Sequence, residues 1–336
     1  MSFGGDVNGY TTYTDTVYKL IIPTGNTKSL DQALLVMRDY ADGALLLEEE
    51  VERERGVILA EKTARDSARY RSGVARTSFL LRNTAVPGRQ PIGDEGVLAR
   101  AGREELLEFY RLWYRPDNMI LILVGDFDRE TAETLLSKHF ESMQSSDTGK
   151  CPDYGTTDHS GIETFYHFEP DLGVTEVAIE TVRNKRPEND SLRLQQENVL
   201  SYMAAMIMNH RLSRLMESVD TSFSSAGYYN TVMFDRFRIS GIRATTKKER
   251  WQQSLAQIES ELRSLLHYGV SENELIRVKR DLRADLENSA RAAGTRNSMN
   301  LIGQIIASLD ANRVLQSPEQ ELELYGPFID DVRVEE

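Results

Sequence analysis

Residues 144–160, QSSDTGKCPDYGTTDHS, carry no apolar periodicity and are dense in turn formers. They divide the chain into two stretches that each open on strand-phased residues and continue into helix-phased ones. Residues 7–13 and 16–22 are rich in Val, Ile, Thr and Tyr and are split by Thr14-Asp15, a hairpin pattern. Ser29 with Gln32 reads as a capping box ahead of Leu30, Leu34, Met37 and Ala41, and a second helix runs from about residue 48 into the sixties, with a basic stretch toward Arg82. A loop over 87–96, a helix over 103–113, a buried apolar strand over 119–124 and a helix capped by Asp128 complete the first half. After the linker, strands are predicted at 163–168 and 174–182, then a long helix over 190–218 and strands at 223–230 and 232–243. Helices follow from the apparent capping boxes Thr246/Glu249 and Ser271/Glu274. The order of the first half recurs, so the sequence predicts an α+β fold of two similar domains, 1–150 and 151–336, each a mostly antiparallel sheet packed with helices.

Composition narrows the class. Apolar residues at 40% and charged residues at 28% mark a globular chain, and no apolar run reaches the length of a membrane span. A net charge of −13 argues against nucleic acid as a partner, because phosphate binding needs clustered Lys and Arg. Cys151 is the only cysteine, which excludes an internal disulfide and a cysteine-based metal cluster. The amino-terminal residues have neither the basic nor the apolar region of a signal peptide. Met1 is expected not to be the native start of the fold.

Chemistry centres on the helix around residue 54. Leu47, Val51 and Ile58 are spaced four and seven apart, and the same alternation lands on Glu54 and Glu61. That phase places both carboxylates in the apolar stripe, where a charge is costly unless it meets a cation or donors. The neighbouring run EEEVERERG supplies the other reading, in which Glu54 is one more solvated carboxylate paired with a nearby arginine.

The stretch ERERGVILAEK, residues 52–62, resembles the second metal-site segment of the insulinase/pitrilysin family of zinc metallopeptidases. DVNGYTTYTDTVY is similar to the segment that follows the family's metal-binding helix, and PIGDEG with EFYRLWYRPDNMILILVGDFD resembles its closing helix and strand. The likeness runs over residues 3–143 in the family's order and spacing. Residues 160–336 fit its second, non-catalytic domain more loosely, in their order of elements and phrases such as HRLSRL.

The resemblance implies a zinc held by two histidines of an H-x-x-E-H helix and a glutamate from a later helix, with the motif's own glutamate as general base. Glu61 matches the later ligand, and Glu54 the auxiliary acidic residue that orients a first ligand or its water. Such a zinc keeps one position for water, acidifies it and polarises the scissile carbonyl. The strand matching residues 6–13 is then the edge to which an extended peptide or unfolded substrate adds by backbone pairing, with Asn8, Gly9 and Thr11 near the scissile bond. Arg115 and Asn118 are expected to be structural.

The departures matter equally. The five histidines, His139, His159, His167, His210 and His267, include no pair with H-x-x-E-H or H-x-x-x-H spacing. The chain alone is therefore expected to bind zinc weakly or not at all and to be inactive. Two histories fit: a truncated gene with Met1 internal to a longer enzyme, or a natural non-catalytic peptide-binding or assembly subunit in which the acidic pair serves salt bridges to residues 65–76. Retention of two glutamates in a buried position favours truncation. The family also implies a second peptidase half, on the same chain or as a separate subunit, and its bacterial members suggest the periplasm or cell envelope. An incomplete first domain leaves a sheet face open, so poor solubility or association is expected.

Overall fold

In the computed structural model, which describes residues 4–23, 26–144 and 153–335, the chain divides into two units. One runs to Asp158 and takes in Thr164–Phe168; the other holds His159–Glu163 and everything from Glu169. Cys151 and the predicted boundary at 150–151 lie outside the described residues.

The first unit begins with β1 (Asp6–Thr11) and β2 (Thr16–Ile21), antiparallel in a register that sets Gly9 opposite Tyr18. Helices α1 (Thr27–Asp42), α2 (Glu48–Arg65), α3 (Ala68–Leu80), α4 (Glu95–Arg100), α5 (Arg103–Trp113) and α6 (Arg129–Phe140) follow. The cap of α1 is Asn26, whose side-chain oxygen accepts from the amides of Lys28 and Ser29; Ser29 sits buried within the first turn and caps nothing. The basic stretch after α2 is a separate helix, since Ser67 accepts from Tyr70 N–H and starts α3. Leu30 and Leu34 of α1 bury against Ala132, Leu135 and Leu136 of α6. Asp31 fixes this pair of helices by bonding both Lys138 Nζ and His139 Nε2.

Two predicted strands are not in ladders. Residues 119–124 and 163–168 have no hydrogen-bonded strand neighbour among the described residues, and Ile120 and Tyr166 lie exposed. A strand is defined by its partner, and apolar content supplies none. Leu123 still packs on the α1–α6 core, and Phe165 stacks on Phe79.

The second unit is built on the antiparallel order β3-β5-β4, with β3 (Thr175–Asn184), β4 (Phe223–Met233) and β5 (Phe237–Thr246). The break predicted after residue 230 falls a few residues later, where Phe234 and Asp235 take positive φ and Lys185 Nζ holds Asp235 at 2.6 Å. Helices α7 (Leu192–Met216), α8 (Trp251–Tyr268), α9 (Glu272–Ala292), α10 (Ser298–Asp310) and α11 (Pro318–Asp331) complete the unit. Helix α7 feeds two cores at once: Met208 and Leu212 meet Ile242 and Ile258, whereas Met203 and Ile207 meet Val278 and Ile329. Thr246 is no helix cap. It ends β5 with its hydroxyl donating to Ser222 O, and α8 starts beyond a short 3-10 turn over Lys248–Arg250. The box at Ser271 is present, with Glu274 reaching back to the Ser271 amide.

Candidate functional site: the open face of helix α2 and the edge of β1

Helix α2 is favoured by charge at both ends, Glu48, Glu49 and Glu50 in the first turn and Lys62 and Arg65 in the last, each opposing the helix dipole. Its covered stripe differs from the predicted one. Leu47 is the N-cap, outside the helical repeat and exposed, so it cannot set the phase. Val51 is buried, and the residues that share its side are Arg55, Ile58, Leu59 and Lys62. The two cations lay their stems along the unit and place their heads on main-chain carbonyls: Arg55 donates to Leu98 O and Ala101 O, Lys62 to Gly93 O at 3.0 Å.

Glu54 and Glu61, seven residues apart, share one side of the helix about a quarter turn from the middle of that stripe. Their side chains are 57% and 44% exposed. The expectation of buried carboxylates is therefore incorrect, and burial cost no longer favours truncation. Arg53 Nε lies 3.8 Å from Glu54, and Arg65 pairs with Glu61 at 2.5 Å. Arg55 and Lys62 are the residues that hydrophobic periodicity misses; counting long cations as amphipathic recovers the stripe Val51, Arg55, Ile58, Lys62.

Zinc would need at least two further protein donors beside Glu61, and the described residues do not supply them. Among them no three His, Cys, Asp or Glu side chains gather at one point. The histidines are engaged elsewhere: His139 on Asp31, His159 beside Glu163, His167 over Phe165 and His267 against Tyr268, while His210 lies on α7. The residues present thus fit one zinc ligand and a neighbouring carboxylate, and do not complete a metal centre.

The other half of the site is β1. All six of its residues are exposed, and among the described residues only β2 pairs with it. The carbonyl of Val17 lies 3.1 Å from where a Cβ on Gly9 would stand, so it points across at β1. Backbone directions alternate along a strand, which turns the main-chain groups of Val7, Gly9 and Thr11 toward the free edge and those of Asn8 and Tyr10 toward β2. Asn8 consequently takes part by its side chain: its Oδ1 accepts from the Gly9 N–H at 2.7 Å. The hairpin is anchored from behind. Tyr18 stacks on Tyr40 and its hydroxyl meets that of Tyr114 at 2.6 Å, and burial followed by that contact raises its pKa above the usual phenol value.

One segment holds both halves. Tyr13 at the hairpin end donates to Gln90 Oε1 at 2.9 Å, within the same 86–101 stretch that receives Lys62 and Arg55. Beyond it, Arg115 is buried beside Asp117 and Asn118 Nδ2 donates to Trp113 O, which are structural contacts.

The chain belongs to the M16 peptidases, the insulinase/pitrilysin family: residues 100–282, more than half of its length, match the peptidase M16 inactive domain. It is 27% identical over 325 residues to the probable zinc protease PqqL of Escherichia coli, covering 96% of this chain and 35% of that protein. The crystal structure of the first half of the periplasmic protease PqqL from E. coli superposes with a TM-score of 0.91 at 25% identity, over 98% of this chain and 70% of that one. The ferredoxin protease FusC, solved in complex with Arabidopsis ferredoxin, shares the fold with a TM-score of 0.81 at 18% identity, over 98% of this chain and 36% of that one. The chain spans about a third of the length of the PqqL relatives it matches. No helix among the described residues is long and apolar enough to cross a membrane.

Proposed function

We propose that this chain is one part of a zinc metalloendopeptidase that hydrolyses extended peptides, supplying the peptide-pairing edge and one carboxylate ligand but not the whole metal centre. In this reading residues 1–150 are the catalytic-type domain and 151–336 the non-catalytic one. The observation that carries it is the pair Glu54 and Glu61 on one open face of a helix latched in place by Arg55 and Lys62, in a chain of this family. Glu61 serves as the ligand and Glu54 orients what Glu61 binds. The edge groups of Gly9 and Thr11 pair with the main chain of the substrate, with Asn8 beside them. An H-x-x-E-H helix and a second peptidase half complete the enzyme. Because the PqqL relative is a periplasmic protease, the cell envelope is the compartment we assign.

A second reading is a non-catalytic peptide-binding or assembly subunit, favoured by the 2.5 Å pair between Glu61 and Arg65, which already gives the carboxylate a cation. One experiment separates the two. An H-x-x-E-H helix is fused ahead of the chain, and zinc content and peptide cleavage are measured with and without Glu61→Gln. The enzyme reading expects one zinc per chain that the substitution removes; unchanged zinc content in the variant takes Glu61 out of the ligand set and leaves the binding subunit.

A further inference from the structure

We infer that the Asn8 side chain is a removable cap on the peptide-pairing edge, so that it restrains binding where a substrate contact would promote it. This rests on the reading of β1 as the edge that receives an extended peptide. The Gly9 N–H faces that edge and is the donor an incoming strand would seek, yet it is already satisfied at 2.7 Å by Asn8 Oδ1. An arriving peptide carbonyl must therefore exchange one acceptor for another, and the hydrogen bond gained elsewhere in an edge pairing is here neutral. Gly9 suits this arrangement because a side chain there would stand 3.1 Å from Val17 O and crowd the pair. The Asn8 main chain is turned toward β2, so its side chain can swing away without disturbing the ladder. The cap also satisfies one outward donor of a strand that the described residues leave exposed from end to end, a local defence against unspecific edge pairing.

The test uses the full chain and a fluorescein-labelled, end-blocked decapeptide of alternating threonine and glutamine, which carries no side-chain charge to favour Asn8→Asp. Asn8→Ala and Asn8→Asp are compared with the wild type by fluorescence anisotropy, and amide exchange at Gly9 is followed by NMR in the free proteins. Release of the cap is expected to quicken Gly9 exchange and tighten peptide binding about threefold to tenfold in Asn8→Ala. Asn8→Asp, which keeps an acceptor, should bind no tighter than the wild type. Where the wild type binds the peptide, unchanged Gly9 exchange in Asn8→Ala, or quicker exchange with equal or weaker binding, overturns the cap and leaves strand addition standing. If neither wild type nor Asn8→Ala binds the peptide although Gly9 exchange has quickened, strand addition itself fails and the cap with it.

Discussion

Replacing Glu274 with glutamine should destabilise the second unit by at most about 3 kcal/mol at neutral pH, and the loss should fade in acid. The carboxylate accepts from Arg211 Nε at 2.7 Å and Nη2 at 2.8 Å, from Arg214 at 3.2 Å and from the Ser271 amide at 3.0 Å. The Arg211 guanidinium, followed by the Ser271 donors, holds the Glu274 pKa down at about 2 from an ordinary 4.5. At about 1.4 kcal/mol for each pH unit, that difference amounts to about 3 kcal/mol, an upper value because the side chain keeps 18% exposure. The folded pKa lies below the unfolded one, so the contribution is complete above pH 4.5 and disappears as pH falls toward 2. Arg211 in the variant still donates to Gly269 O and lies 3.7 Å from Glu261, which keeps the cost below that of a fully orphaned buried charge. The assay is urea unfolding followed by Trp251 fluorescence in a Trp113→Phe background, so that the signal comes from the second unit. The gap between the wild-type and Glu274→Gln midpoints should be widest at neutral pH and shrink steadily below the ordinary carboxylate pKa of 4.5. Equal midpoints at neutral pH, or a gap indifferent to pH, refutes the reasoning.

Two further substitutions probe the same unit. Leu212→Ala empties a fully buried position between Phe223, Ile242 and Ile258 and should cost about 3 kcal/mol in urea unfolding; a loss under about 1 kcal/mol would mean that the core collapses into the gap. Gly241→Ala places a methyl 2.5 Å from Ile179 O, where β3 and β5 meet, and should cost about 1–3 kcal/mol with the β3 amides exchanging faster than those of α9. Uniform exchange across both elements would refute that account.

What can be seen in the sequence is whatever is local. Hairpin β1–β2 and the Ser271–Glu274 cap depend on residues a few positions apart, and both follow from residue types alone. At the start of α1, Asn26 and Ser29 both suit the role of cap, and only the backbone path decides for Asn26. Residues 119–124 resemble a strand because apolar content carries no information about a partner. The face of α2 is hidden for a related reason. Leu47, which suggests its phase, lies outside the helix, and its packed side includes two cations that a hydrophobic count treats as solvent-facing. The Asn8 cap is not legible at all, since it depends on which way a peptide unit faces.

The latch on α2 has a consequence for how this chain can vary. Arg55 and Lys62 hold the carbonyls of Leu98, Ala101 and Gly93, and a carbonyl is present whatever side chain stands there. Substitutions at Leu98 and Ala101 can therefore accumulate without unhooking the helix, provided the backbone keeps its course. Side-chain identity is thus freer at Leu98 and Ala101 than at the two cations of α2 or at Gly93, whose positive φ suits glycine, so the two glutamates keep their bearing while those two positions change.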